Sequence, residues 1–354
     1  MGIFFVTDRA DAHIDRFFSL FLEISPSAKL IRVTYEDSDL PTAVIGESQF
    51  KSWGSISEAL SGSGSLVVSG PLDSVSSNLL VDGSAHVCIS FASDVMLGLS
   101  NSEDVASRLE QLIPSAACVV TDNYATENAL IAFGFTPEQI LRIPWGPEND
   151  QETGFSSREA LGWPESSKIV LYPRSLEPLY DPEVFLQGLS EVVQTHPKLI
   201  AVVIEAGSLV NLVKSRIQEL GLEKNVIWHG LQTPDVFRSM LCCADLVVVT
   251  PRTDGTSVTV LEAMEAGIPV VTSQTPGSAE WIMDGITGWT FPVGNANKLG
   301  SAIARALDVD KHQRQIILAR AKRLVTSRAG WQASAKTLAD RLKTHISEAG
   351  HQGP

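Results

Sequence analysis

No run of about 18 consecutive apolar residues occurs in the 354-residue sequence, so no segment reads as a helix that spans a bilayer. Cysteine is scarce. Cys88, Cys118, Cys242 and Cys243 are the only four, and none falls in a CxxC spacing. They read as reduced core thiols of a cytoplasmic protein, which excludes a disulfide framework and a cysteine-bound metal. Positive charge is missing where a signal peptide would carry it. The opening MGIFFVTDRAD runs from a short apolar stretch straight into acidic residues, so secretion is not expected. Basic residues are also few over residues 1–150, which hold 7 Lys+Arg against 20 Asp+Glu. That half carries a net −13 of the chain's −14. A protein gripping nucleic acid or an anionic membrane needs a basic stripe, and neither is an expected partner.

What is present points to a globular chain of two domains: 44% hydrophobic and 19% charged residues over a length too great for one ordinary core. Apolar strand-like runs alternate with helix-period segments. Met1–Thr7, Lys29–Tyr35, Ser65–Ser69, His86–Phe91 and Ala117–Thr121 read as strands, with helices over Asp11–Glu23 and Thr126–Phe133. The Pro144-Trp145-Gly146-Pro147 string then breaks the pattern. A second series follows, with strands at Lys168–Tyr172, Leu199–Glu205, Asn225–Trp228, Ala244–Val249 and Pro269–Ser273. Its helices are Pro182–Thr195, Leu209–Leu220, Pro234–Cys243 and Val258–Ala266, and Gly330–His345 reads as a terminal helix. This rhythm predicts two doubly wound, mostly parallel α/β domains, with ligands at the C-terminal ends of strands.

The most informative segment is Thr250–Ser273, TPRTDGTSVTVLEAMEAGIPVVTS. A strand ends near Thr250, a loop carries Asp254 and Gly255, and a helix opens near Thr256 or Ser257. Such a helix start is an anion site, and Gly255 admits close approach of a ligand to the backbone. Asp254 and Glu262 are eight apart, about two helical turns, so the spacing predicts that they share one side.

The segment resembles the donor-binding signature of retaining glycosyltransferases of family 4, which have the GT-B fold. Their Glu-x7-Glu is here Asp254-x7-Glu262, followed by Ala263-Met264 and Gly267-Ile268-Pro269-Val270-Val271. Tyr172-Pro173-Arg174-Ser175, His229-Gly230-Leu231, Glu280-Trp281 and Asp284–Trp289 fall in the family's order. Gly70-Pro71-Leu72, Ser90–Asp94 and Asp8–Phe17 resemble a subgroup in which a His follows the first strand; His13 and Asp94 are the matching residues. Two departures stand out: no glycine-rich loop follows the first strand, and Leu179 occupies a position where many relatives have lysine.

The resemblance implies two Rossmann-like doubly wound domains facing a central cleft. It implies an acceptor domain over 1–146, a donor domain over 147–328, and a terminal helix over 329–354 packing back on the first. The activity implied is transfer of a hexose or N-acetylhexosamine from a nucleotide-diphosphate sugar, with UDP favoured over GDP. No cofactor and no metal are expected, and no DxD pair sits in the donor loop. Glu262 would take the ribose hydroxyls and Asp254 the sugar hydroxyls. Gly230, Leu231 and the backbone of Gly255, Thr256, Ser257 and Val258 would line the donor. Arg174 would pair with the diphosphate, helped by Arg252 or Arg9. His13 would touch the acceptor or the donor sugar and Asp94 would orient the acceptor hydroxyl; the acidic N-terminal half suggests an acceptor that is soluble and compatible with an amine. An epimerase or hydrolase on the same fold, and a non-catalytic partner protein, remain alternatives.

Overall fold

In the computed structural model, which describes residues 3–10, 12–35, 41–61, 66–79, 81, 84–98, 103–147 and 157–351, the chain divides into two compact units. One comprises Met1–Pro144 with Gln332–Pro354; the other is Trp145–Trp331. Both are Rossmann-like α/β units built on parallel sheets.

The first unit holds strands β1 (Ile3–Thr7), β2 (Lys29–Tyr35), β3 (Pro41–Ile45), β4 (Ser48–Phe50), β5 (Leu66–Ser69), β6 (Ala85–Ile89), β7 (Ala116–Thr121) and β8 (Ile140–Arg142). They form one sheet in the order β4-β3-β2-β1-β5-β6-β7-β8. The β2–β3 and β3–β4 pairs are antiparallel and the rest parallel. The β3–β4 hairpin turns through Gly46 and Glu47, with Gly46 at φ +65°, where glycine suits the first turn position. This hairpin lies outside the sequence expectation, because its short strands carry little periodic signal. The helix Trp331–His351 belongs to this unit from Gln332 on: Leu338 and Leu342 are buried, and Ser334 Oγ donates to the Pro144 carbonyl at 2.7 Å.

The second unit is a six-stranded parallel sheet, ordered β11-β10-β9-β12-β13-β14. Its strands are β9 (Lys168–Tyr172), β10 (Leu199–Ile204), β11 (Val226–His229), β12 (Leu246–Val249), β13 (Val270–Ser273) and β14 (Trp289–Phe291). Alternation along β9 explains its burial on both faces. Val170 and Tyr172 enter one core with Phe185 and Leu189; Ile169 and Leu171 enter the other with Met240 and Leu261. Trp281 and Trp289 are packing residues in these cores, and Trp145 is buried as well. Cys88 and Cys118 are buried thiols, whereas Cys242 and Cys243 are only half-buried, so the expectation of four core thiols holds for two. Among the described residues no helix is long and apolar enough to cross a membrane.

Candidate functional site

The order of the second sheet defines where a ligand can bind. From β9 the chain winds to one side through β10 and β11, then crosses to build β12, β13 and β14 on the other. The loops leaving β9 and β12 therefore meet at the point of reversal, the position where doubly wound sheets bind ligands. The β9 loop carries Arg174 and the β12 loop carries Asp254. Arg174 Nη2 donates to Asp254 Oδ2 at 2.5 Å, with both side chains largely shielded from solvent.

Burial pushes the Asp254 carboxyl above the usual carboxylate range; Arg174, the Gly255 N–H and the Ser257 hydroxyl pull the other way. Burial also works against the charge of Arg174, but the facing carboxylate outweighs it and keeps the guanidinium charged. The Arg174 Cζ lies 4.1 Å from the centroid of the Tyr180 ring. Its Nε is buried without a hydrogen-bond partner.

The two loops are stitched together. Within the β9 loop, Pro178 opens a single 3₁₀ turn that ends at Asp181. Asp181 adopts a left-handed φ of +45°, which aspartate tolerates better than most residues, and Pro182 then starts the next helix. Tyr172 Oη donates to the Tyr180 carbonyl at 2.7 Å, and Thr250 Oγ1 donates to the same oxygen at 2.5 Å. The Arg252 N–H donates to the Leu179 carbonyl at 2.8 Å, and its guanidinium pairs with Asp181 at 3.1 Å. Arg252 is thus engaged with the loop that carries Arg174.

The β12 loop is pinned from its other side. Ser273 Oγ donates to the Pro251 carbonyl at 2.5 Å. At Gly277 an added Cβ would lie 2.3 Å from the Gly255 carbonyl oxygen and 2.5 Å from that of Asp254, so only glycine fits. The helix Val258–Glu265 follows, with Ser257 at its N-cap and no side-chain cap hydrogen bond. Thr256 and Ser257 are buried, and Val258 opens the helix. Asp254 precedes this helix, so helical spacing does not align it with Glu262 as the sequence reading expects. Glu262 is half-buried at the fifth helical position.

Gly230 and Leu231 leave β11, two strands away from β9 in the sheet. Both are exposed, and a Cβ at Gly230 would meet nothing within 4 Å. His229 beside them accepts from Trp163 Nε1 through its Nε2 at 2.9 Å.

The first unit has its own reversal point between β1 and β5, since the chain builds β2 to β4 on one side and β6 to β8 on the other. His13 lies in the first turn of the helix Ala12–Ile24, and its side chain is outside the described residues. Asp94 is buried. Its Oδ2 accepts from the Leu72 and Phe91 N–H groups at 2.8 and 3.1 Å, and its Oδ1 from Ser90 Oγ and the Val95 N–H at 2.8 and 2.9 Å. Four donors account for both oxygens, so Asp94 ties the loop after β5 to the loop after β6. Arg9 stacks on the Phe91 ring at 4.2 Å in this unit.

Burial pushes the Asp73 carboxyl up to about 6, and the charges of Asp94 and Asp8 add to the effect. Burial likewise raises Asp8 and carries Tyr35 up to about 12. A carboxyl raised on folding costs stability once it ionises, a penalty absent below its unfolded value of 3.8 and complete above about 6. Asp73→Asn is therefore expected to stabilise the protein at pH 8 by about 1 kcal/mol, after allowance for solvent screening, and to change little at pH 4. Denaturation midpoints at the two pH values check this. Among the described residues, no group of three or more His, Cys, Asp or Glu is placed to hold a metal ion.

Two Rossmann-like units, with an anion-ready helix start at the reversal point of the second, define a GT-B fold. The Anabaena protein HepE in complex with UDP-glucose shares this fold at a TM-score of 0.79 and 17% identity, covering 97% of this chain and 100% of that one. Residues 155–323, a little under half of the chain, match the family described as Glycosyl transferases group 1. It is similar to the D-inositol 3-phosphate glycosyltransferase of Corynebacterium jeikeium, 26% identical over 259 residues, covering 69% of this chain and 61% of that protein. It is also similar to the lipopolysaccharide 1,2-N-acetylglucosaminetransferase of Salmonella typhimurium, 27% identical over 247 residues, covering 66% of this chain and 58% of that protein. In both, the match spans less than two thirds of the relative's own length.

Proposed function

We propose that this protein is a glycosyltransferase whose Trp145–Trp331 unit binds a nucleotide-diphosphate sugar and whose other unit receives a hydroxyl-bearing acceptor. The observation that carries this reading is the Arg174–Asp254 pair at the sheet's reversal point, beside the uncapped start of the Val258–Glu265 helix. A guanidinium fork and a helix N-terminus together suit the two phosphates of such a donor. UDP is the favoured base carrier, supported by the UDP-glucose bound to HepE.

In the reaction, the bond between the anomeric carbon and the diphosphate oxygen breaks. The acceptor oxygen bonds to that carbon on the same face, and its proton passes to the departing diphosphate. Configuration is retained, and no residue needs to form a covalent intermediate. Arg174 and the amides of Gly255 to Val258 stabilise charge growing on the leaving group. Asp254 orients the sugar hydroxyls, Glu262 holds the ribose hydroxyls, and Gly230 and Leu231 border the base. This scheme uses no metal ion. The charge of the N-terminal half, and the raised carboxyls Asp8 and Asp73, favour a soluble acceptor and tolerate an amine on it. His13 follows β1 in that half and is assigned to the acceptor side.

Incubating the protein with UDP-glucose, UDP-N-acetylglucosamine or GDP-mannose, with and without a panel of sugar and cyclitol acceptors, tests the reading. Acceptor-dependent release of nucleoside diphosphate supports it. Fast hydrolysis or epimerisation of donor alone, or no binding of any nucleotide at millimolar concentration, overturns it. Glu262→Gln is expected to raise the donor Michaelis constant by about tenfold, since a hydrogen-bonded carboxylate contributes about 1–3 kcal/mol, with the melting temperature unchanged. Steady-state kinetics at varied donor concentration check it.

A further inference from the structure

The β9 loop from Pro173 to Asp181 contains a single basic residue, Arg174. Whatever this loop contributes to an anionic ligand therefore depends on where one guanidinium points. In the structure Arg174 has two partners of different kinds. Asp254 takes an in-plane N–H, whereas Tyr180 covers a face of the guanidinium at 4.1 Å. An arriving diphosphate competes with Asp254 for the in-plane donors. It does not compete with the tyrosine, because a stacked ring leaves every N–H edge open.

Tyr180 is itself held firmly. Its carbonyl accepts from both Tyr172 Oη and Thr250 Oγ1, and the Tyr172 ring is stacked on Phe185 at a centroid distance of 4.3 Å. The geometry points to Tyr180 as a positioning residue. Resting on the donor reading above, its ring fixes the plane of Arg174, so that the guanidinium stays aimed at the phosphates when Asp254 lets go. The ring and not the hydroxyl performs this task, and the effect falls on the distal phosphate and not on the nucleoside.

Calorimetric titration of the full chain with UDP and with UMP separates these terms. For the wild type the ratio of the two dissociation constants reports what the second phosphate adds. Tyr180→Phe is expected to keep that ratio. Tyr180→Leu is expected to lower it about 3–10-fold while UMP affinity stays constant. Tyr180→Gln serves as a second non-aromatic variant if the leucine protein does not fold. Equal losses for UDP and UMP, a phenylalanine variant that behaves like leucine, or a non-aromatic variant with the wild-type ratio would each overturn the inference and leave the donor reading standing. Wild-type protein that binds neither nucleotide overturns both.

Discussion

Arg174→Ala is expected to slow sugar transfer by about 10²–10³-fold, comparable to removing one preorganised donor from an oxyanion site. The guanidinium is the only cation of its loop, and in the proposed reaction it is the group that meets charge growing on the departing diphosphate. Its removal also leaves Asp254 shielded from solvent opposite no cation, with the carboxyl already pushed up by burial. The variant should therefore bind nucleoside diphosphate more weakly and also lose turnover. Arg174→Lys should recover only part of the rate, since an ammonium cannot offer a planar fork or the same stack on Tyr180. Single-turnover measurements on the three proteins check the order, and a turnover for Arg174→Ala within threefold of wild type would remove the residue from the chemistry.

Gly146→Ala is expected to destabilise the Trp145–Trp331 unit by about 3 kcal/mol or more, the upper range for overpacking. A Cβ at this position would lie 1.2 Å from the Ala329 carbonyl oxygen and 2.3 Å from its carbon. The obstacle is backbone, so no rotamer change relieves it. The residues concerned are also fastened nearby: the Ala329 N–H donates to the Val325 carbonyl at 2.8 Å, and the Trp331 N–H to the Pro147 carbonyl. Gly230→Ala is the matched control, because its Cβ would enter open space. Thermal denaturation should lower the midpoint of Gly146→Ala by about 6 °C or more and leave that of Gly230→Ala unmoved; equal midpoints would contradict the close approach.

The long elements of both sheets are legible in the sequence because buried parallel strands are apolar on both faces. Lys168–Tyr172 and the helices Pro182–Thr195 and Pro234–Cys243 coincide with the expectation to the residue. The β3–β4 hairpin and the strands β8 and β14 do not register: β4, β8 and β14 have three residues, too few to establish a period, and β3 opens on a proline. Asp254, Glu262 and Arg174 are legible as candidates through the resemblance of their surroundings. That Arg174 and Asp254 bond to each other is not, because the two stand 80 positions apart on different loops. The Tyr180–Arg174 contact has no sequence signal for a related reason. Nothing in RSLEPLYDP distinguishes a packing tyrosine from one stacked on an arginine six residues earlier. Asp94 carried the opposite risk: an aspartate after a strand looks available, and only the structure counts its four donors.

The division of the chain also bears on how it is made. One unit is a single continuous segment, Trp145–Trp331, whereas the other recruits Gln332–Pro354 after that segment has been synthesised. During translation the nascent unit of Met1–Pro144 therefore waits for its last helix while the whole of the second unit is added. At about 5–20 residues per second, that interval is on the order of 10–40 s. The surface that Leu338 and Leu342 will cover stays open to water or to a chaperone throughout, and the unit begun first is the one completed last.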